Sequence, residues 1–140
     1  MSEVVVTSGE NLKQLIRAGN HTLVADEPAD AGGSDAGPSP YDLLLAGLGA
    51  CTSMTLQLYA RRKQFPLEQV EVTLSQSRIH GKDCADCDTK DDYVTRISRH
   101  IKLIGPLNDD QRARLMEIAR RCPVHRVLSA EISVEDTLAR

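Results

Sequence analysis

The chain has no tryptophan, one phenylalanine and three tyrosines among its 140 residues, an aromatic fraction of 3%. Aromatic side chains bring the largest single pieces of buried area, so this core has to come from Leu, Val, Ile and Ala. The same shortage excludes a base-stacking platform for single-stranded nucleic acid. An excess of positive charge is also missing. Seventeen Lys and Arg stand against 20 Asp and Glu, a net charge of −3 and a pI of about 5.8, which provides no field to attract nucleic acid. No stretch of about 20 apolar residues free of polar ones is seen, so no bilayer span is expected. The N-terminus MSEVVVTSGENLKQL lacks the basic start and apolar core of a signal peptide. These absences point to a cytoplasmic protein with no membrane and no nucleic-acid partner. What is present, 41% hydrophobic and 26% charged residues, is the balance of one globular domain over residues 1–140.

Residues 3–26 read as short strands. Leu12 to Ile16 and His21 to Ala25 flank Ala18-Gly19-Asn20, a hairpin turn by composition. Residues 26–40, DEPADAGGSDAGPSP, form a long loop without periodicity, of the kind that is functional or mobile. Ser39-Pro40-Tyr41-Asp42 then starts a helix, with Ser39 as N-cap, Pro40 in the first turn and Asp42 completing the box. The helix ends on Arg61-Arg62-Lys63, cations suited to its C-terminal dipole, and Pro66 stops the segment. Its leucines and methionine occupy every face, the mark of a buried central helix. Gly47 and Gly49 inside it predict close approach of another backbone. Val70, Val72 and Leu74 alternate with polar residues as a strand, residues 80–92 form a polar turn, and Ile97, Ile101 and Leu103 mark a second strand. Asn108 and Gln111 cap a helix that Pro123 ends, and residues 127–134 read as a last strand. The order is α+β with a mostly antiparallel sheet around a long buried helix.

Four cysteines in a cytoplasmic chain favour redox or metal chemistry over a disulfide framework. Cys51 lies about 16 Å along the long helix, too far from its N-terminus for the dipole to activate it. A small core residue is the plain reading, yet Thr52, Ser53 and Thr55 interrupt the apolar run beside it. Cys122 sits in Arg-Arg-Cys-Pro-Val-His-Arg, where three arginines and His125 favour a thiolate and the end of the preceding helix opposes it. Pro123 fits a sulfur that is exposed or half-exposed. Cys84 and Cys87 form a C-x-x-C among Asp83, Asp86, Asp88, Asp91 and Asp92. Carboxylates disfavour thiolates and suit a cation, so zinc at Cys84 and Cys87, with His80 as a third ligand, stands beside a plain solvated hairpin.

Residues 37–63, GPSPYDLLLAGLGACTSMTLQLYARRK, and residues 121–128, RCPVHRVL, together resemble the OsmC/Ohr superfamily, in particular its OsmC-like redox proteins. The signature is a G-x-x-P, a Cys eleven residues after that Pro, and a Cys-Pro-Val about 70 residues later. The resemblance implies an intertwined homodimer that reduces organic hydroperoxides in oxidative-stress defence and needs no cofactor. It makes Cys51 the peroxidatic and Cys122 the resolving cysteine, with sulfenic acid and disulfide intermediates, re-reduced by a dithiol such as a dihydrolipoyl protein. The family's peroxidases carry a Glu after the Pro, holding an activating Arg; here that position is Tyr41, with Asp42 next. Asp42 is nine residues before Cys51, on the opposite helix face, so activating groups come from another segment or subunit. Arg17, the only arginine before the helix, is the choice for the thiolate's partner. A non-enzymatic redox-sensing or metal-binding dimer using Cys84 and Cys87 is the alternative.

Overall fold

A computed structural model describes residues 3–139. The chain divides into two compact units, residues 1–46 and 47–140. In the first, β1 (Val4–Ser8), β2 (Gln14–Ala18) and β3 (His21–Ala25) form an antiparallel sheet in the order β1-β2-β3. Gly19 makes the β2–β3 turn at φ 60°, the left-handed region that glycine enters at no steric cost. Buried Asp26 organises the following loop. Its carboxylate accepts from the backbone N–H of Glu27, Ser34 and Ala36 at 2.8–3.2 Å, and its own N–H donates to Pro38 O.

The long helix α1 (Pro40–Lys63) starts as expected. Ser39 Oγ accepts from the Asp42 N–H and the Asp42 carboxylate accepts from the Ser39 N–H, both at 3.2 Å. It ends at Lys63, three residues before Pro66, because Gln64 turns left-handed (φ 59°). The Phe65 N–H then reaches Ala60 O and the Gln64 N–H reaches Arg61 O, the hydrogen-bond pair of a Schellman cap. By length and composition alone α1 is apolar enough to cross a membrane, a test that the core helix of a soluble protein passes as well. Its hydroxyl residues dilute its hydropathy without cancelling it.

In the second unit one stripe of α1, Leu48, Thr52, Leu56, Tyr59 and Ala60, is buried. Leu56, Tyr59 and Ala60 pack with Leu107, Leu115, Ile118 and Ala119 as the core. The opposite stripe is open: Met54 and Leu58 are each 63% exposed. The helix is thus not buried all round within one chain. Nor does a backbone press on its glycines. Gly49 faces the Leu74 side chain, and among the described residues outside the helix backbone nothing lies within 4 Å of where a Cβ on Gly47 would sit.

β4 (Gln69–His80) and β5 (Tyr93–Ile104) pair antiparallel along their whole length, Leu74 opposite Arg99. A 3₁₀ turn, Gly81–Asp83, opens the segment joining them. Helix α2 (Asp109–Ala119) carries the full Asn108–Gln111 capping box. The expected final strand over residues 127–134 is replaced by a short helix, α3 (Pro123–Leu128), and residues 129–139 adopt no regular element. Pro123 cannot continue α2, but its fixed φ suits the first turn of a new helix. The alternating Ile132 and Val134, both exposed, have no strand beside them among the described residues.

Candidate functional site

Cys51 and Cys122 meet. The fourth turn of α1 supplies Cys51, and the Cys122 sulfur lies beside it at the junction of α2 and α3. The pair is uneven. Cys122 is fully buried and Cys51 is half-buried, so the exposed sulfur expected at Cys122 is not found. Burial pushes the Cys51 thiol above its ordinary range, and the Cys122 sulfur beside it adds to the rise. The Val124 N–H and the Thr55 hydroxyl offset this only in part. Burial would raise Cys122 too, but it is outweighed. The neighbouring Cys51 sulfur and the His125 and Val124 N–H groups favour its charged form, and its pKa falls below the ordinary value.

The local reason is the start of α3. Cys122 is its N-cap and Pro123 its first residue, so the free N–H groups of a new helix surround the sulfur. From the sequence, the end of α2 was expected to oppose a thiolate here; the structure reverses that sign. A small residue followed by Pro was the signal for a helix start.

Arg99 is the guanidinium beside the two sulfurs, and both favour its charged form against the cost of its burial. Its Nη1 donates to Thr52 Oγ1 at 2.9 Å and to Ala119 O at 3.3 Å, and its Nη2 donates to His125 Nδ1 at 3.0 Å. A guanidinium has no acceptor, so His125 Nδ1 is unprotonated and its proton sits on Nε2. Burial, followed by the charges of Arg99 and Arg120, lowers the His125 pKa and keeps the ring neutral. Thr52, buried between these groups, also donates to Leu48 O at 2.7 Å.

Arg99 was not singled out from the sequence, although a signal was there. It shares the odd-numbered face of its strand with Ile97, Ile101 and Leu103, and a charge on an apolar face needs a buried partner. Arg17, Tyr41 and Asp42 belong to the other unit. Arg17 sits in β2 opposite Val5 and Thr22, Tyr41 is 63% exposed, and Asp42 completes the cap described above. Cys84 and Cys87 are joined as a disulfide with Cα atoms 5.4 Å apart, within the range such a bond spans. Sulfurs bonded in this way are not thiolate ligands, so a metal at this motif requires the reduced form. The cluster Cys84, Asp86 and Cys87 brings three donor atoms within 4.8 Å, and His80 is engaged elsewhere, accepting from the Lys82 N–H.

A cavity of about 520 Å³ reaches Arg99 and His125, while Cys51 and Cys122 lie outside its lining. Leu48, Ile97 and Met116 give it apolar walls and Arg96, Arg99 and Arg120 give it positive charge. Two adjacent thiols beside a guanidinium are the parts needed for nucleophilic attack by sulfur followed by disulfide closure.

Residues 32–136 match the family described as OsmC-like protein. The fold is similar to that of an OsmC-like protein from Mycoplasma pneumoniae, with a TM-score of 0.74 at 20% identity over 92% of this chain and 87% of that one. It is also similar to an organic hydroperoxide resistance protein OsmC from Legionella pneumophila (TM-score 0.65, 21% identity, 91% and 88% covered). A third likeness is to the organic hydroperoxide resistance protein OhrB of Bacillus subtilis (TM-score 0.61, 19% identity, 91% and 89% covered). No curated protein matches the sequence. Since the family match spans well over half of the chain and the structural likeness covers nearly all of it, the chain belongs to the OsmC-like family.

Proposed function

We propose that this protein reduces organic hydroperoxides through Cys51 and Cys122. The observation that carries the reading is that Cys51 and Cys122, 71 positions apart in sequence, are neighbours beside Arg99. Cys51 is the half-buried sulfur of the pair, and its proton passes to the departing alcohol oxygen. Cys51 then attacks the O–O bond, releases an alcohol and becomes a sulfenic acid. Cys122 attacks that sulfur, water leaves, and a disulfide closes. Two thiols and one hydroperoxide give one disulfide, one alcohol and one water. An external dithiol, of the dihydrolipoyl kind available in the cytoplasm, restores the pair. No cofactor enters any step. Two of the structural relatives are named organic hydroperoxide resistance proteins, which supports the substrate class.

The functional unit in this reading is a homodimer, in which a second copy covers the open stripe of α1 at Met54 and Leu58. The test is consumption of cumene hydroperoxide with dithiothreitol. Cys51→Ser abolishes it, and Cys122→Ser leaves a Cys51 sulfenic acid that dimedone traps. Undiminished turnover in Cys51→Ser would end the reading.

The second reading, a metal-binding redox sensor, draws on the three converging donors of Cys84, Asp86 and Cys87. It requires the disulfide to be reduced first. Stoichiometric zinc in reduced protein, lost in Cys87→Ser, together with no hydroperoxide turnover, would favour it.

A further inference from the structure

The cavity at Arg99 and His125 has no part in the reaction above, since Cys51 and Cys122 lie outside its lining. Its volume of about 520 Å³ is that of a site for a small organic molecule. We propose that it binds an organic carboxylate with an apolar body, and that the bound carboxylate draws on Arg99 at the expense of the neighbouring thiols. The proposal does not depend on the hydroperoxide reading.

Three observations carry it. The first is charge. In a chain of net charge −3, Arg96, Arg99 and Arg120 line this one space against a single carboxylate, Asp86. The ion pair found among the described residues joins Arg114 to Glu117, so none of the three arginines is neutralised there. Arg120 opposes the charged form of Arg99, a repulsion that an anion between them relieves.

The second is an open edge on Arg99. A guanidinium has five N–H donors. Nη1 serves Thr52 and Ala119 O, and one N–H of Nη2 serves His125. Nε and the second N–H of Nη2 are left without a partner among the described residues. No buried side-chain nitrogen or oxygen among those residues lacks a hydrogen bond, so this Nε is not sealed off. Nε and Nη2 are adjacent donors of the kind that a carboxylate takes as a pair.

The third is the apolar wall of Leu48, Ile97 and Met116, which an inorganic anion would leave unused and an acyl chain covers. Leu48 belongs to the buried stripe of α1, so the cavity is not the open face at Met54 and Leu58 assigned above to a second copy. Arg99 links the cavity to the thiols. Both sulfurs favour its charged form, and it favours theirs in return. A carboxylate on the same guanidinium cancels part of that field, and the coupling is reciprocal.

The probe is octanoate, titrated calorimetrically into the full chain, with 1-octanol and octylammonium as neutral and cationic controls of the same length. Octanoate is expected to bind at least about tenfold more tightly than either control, the scale of a charged hydrogen bond. Arg96 and Arg120 are exposed, so replacing them leaves the core untouched. In Arg96→Met/Arg120→Met octanoate binding is expected to weaken about tenfold, with octanol unchanged. Saturating octanoate is expected to move the ring signals of His125 in NMR spectra, assigned by their loss in His125→Gln. It is also expected to slow iodoacetamide alkylation of the Cys51–Cys122 pair, mapped by mass spectrometry, because that rate follows the thiolate fraction. The slowing is about fivefold, the scale of one partly exposed charge contact. Absence of octanoate binding, equal binding of octanol, or binding undiminished in the double variant overturns the site. Binding that leaves the alkylation rate unchanged overturns its link to the thiols.

Discussion

Arg99 is a charged residue on the apolar face of a strand, tolerated because Thr52, Ala119 O and His125 take its hydrogen bonds. Replacing a buried charge by an apolar side chain of similar length is often near neutral for stability. Arg99→Met therefore keeps the fold while removing the cation that favours thiolate. Hydroperoxide-driven thiol oxidation is expected to fall about 100-fold, the scale of losing one preorganised electrostatic group, with little change in the thermal midpoint. A stopped-flow thiol assay beside a melting curve checks both.

His125 gives a pH dependence. Its folded pKa is lowered, by burial first and then by Arg99 and Arg120. As pH drops through about 6.5 the unfolded chain binds a proton that the folded chain refuses, so stability falls with pH in that window. The expected result is a thermal midpoint lower at pH 5.5 than at pH 7.5, with a smaller difference in His125→Gln. Equal differences in the two proteins would show that His125 plays no part.

Among the elements, α2 was the most legible from local sequence. Asn108 Oδ1 accepts from the Gln111 N–H at 2.8 Å and Gln111 Oε1 accepts from the Asn108 N–H at 3.0 Å. Asn108→Ala is expected to cost about 1 kcal/mol, the usual value of an N-cap, read as a lower denaturant midpoint at unchanged slope. Because α2 ends in Ala119, whose carbonyl holds Arg99, this local cap supports a site at the far end of its helix. The element that was misread was the C-terminal one. Alternating Ile132 and Val134 suggest a strand, but alternation describes a surface that needs a neighbour, and Cys122-Pro123 had already started a helix.

At the scale of the whole molecule, the aromatic shortage has a definite outcome. Tyr59 is the one largely buried aromatic among the described residues, set edge-on to Phe65 at 5.8 Å and accepting from Arg114 Nε at 2.9 Å. The rest of the core is aliphatic, and it leaves one stripe of α1 uncovered. Met54→Glu tests the proposed dimer. Sedimentation velocity is expected to give a dimer for the wild type and a monomer for the variant, since a buried unpaired carboxylate is strongly unfavourable. A monomeric wild type that turns over hydroperoxide would remove the second copy from the reading.

The sequence by itself determined what depends on neighbours three or four residues away: the Ser39–Asp42 start of α1, the box on α2, and the alternation of β4. It also marked Cys51 by the hydroxyls that interrupt its helix, and Thr52 and Thr55 do face the sulfurs. Tertiary structure alone decided what surrounds those sulfurs. Arg99 reaches Thr52 across 47 positions of chain, and only because the β4–β5 register sets it opposite Leu74. A slip of one residue would turn its side chain to the other face of the sheet. The charge environment of Cys122, favourable rather than opposing, likewise came from where a second helix begins. Local hydrogen bonds are written in short stretches of sequence, whereas an electrostatic site is the sum of groups that only packing brings together.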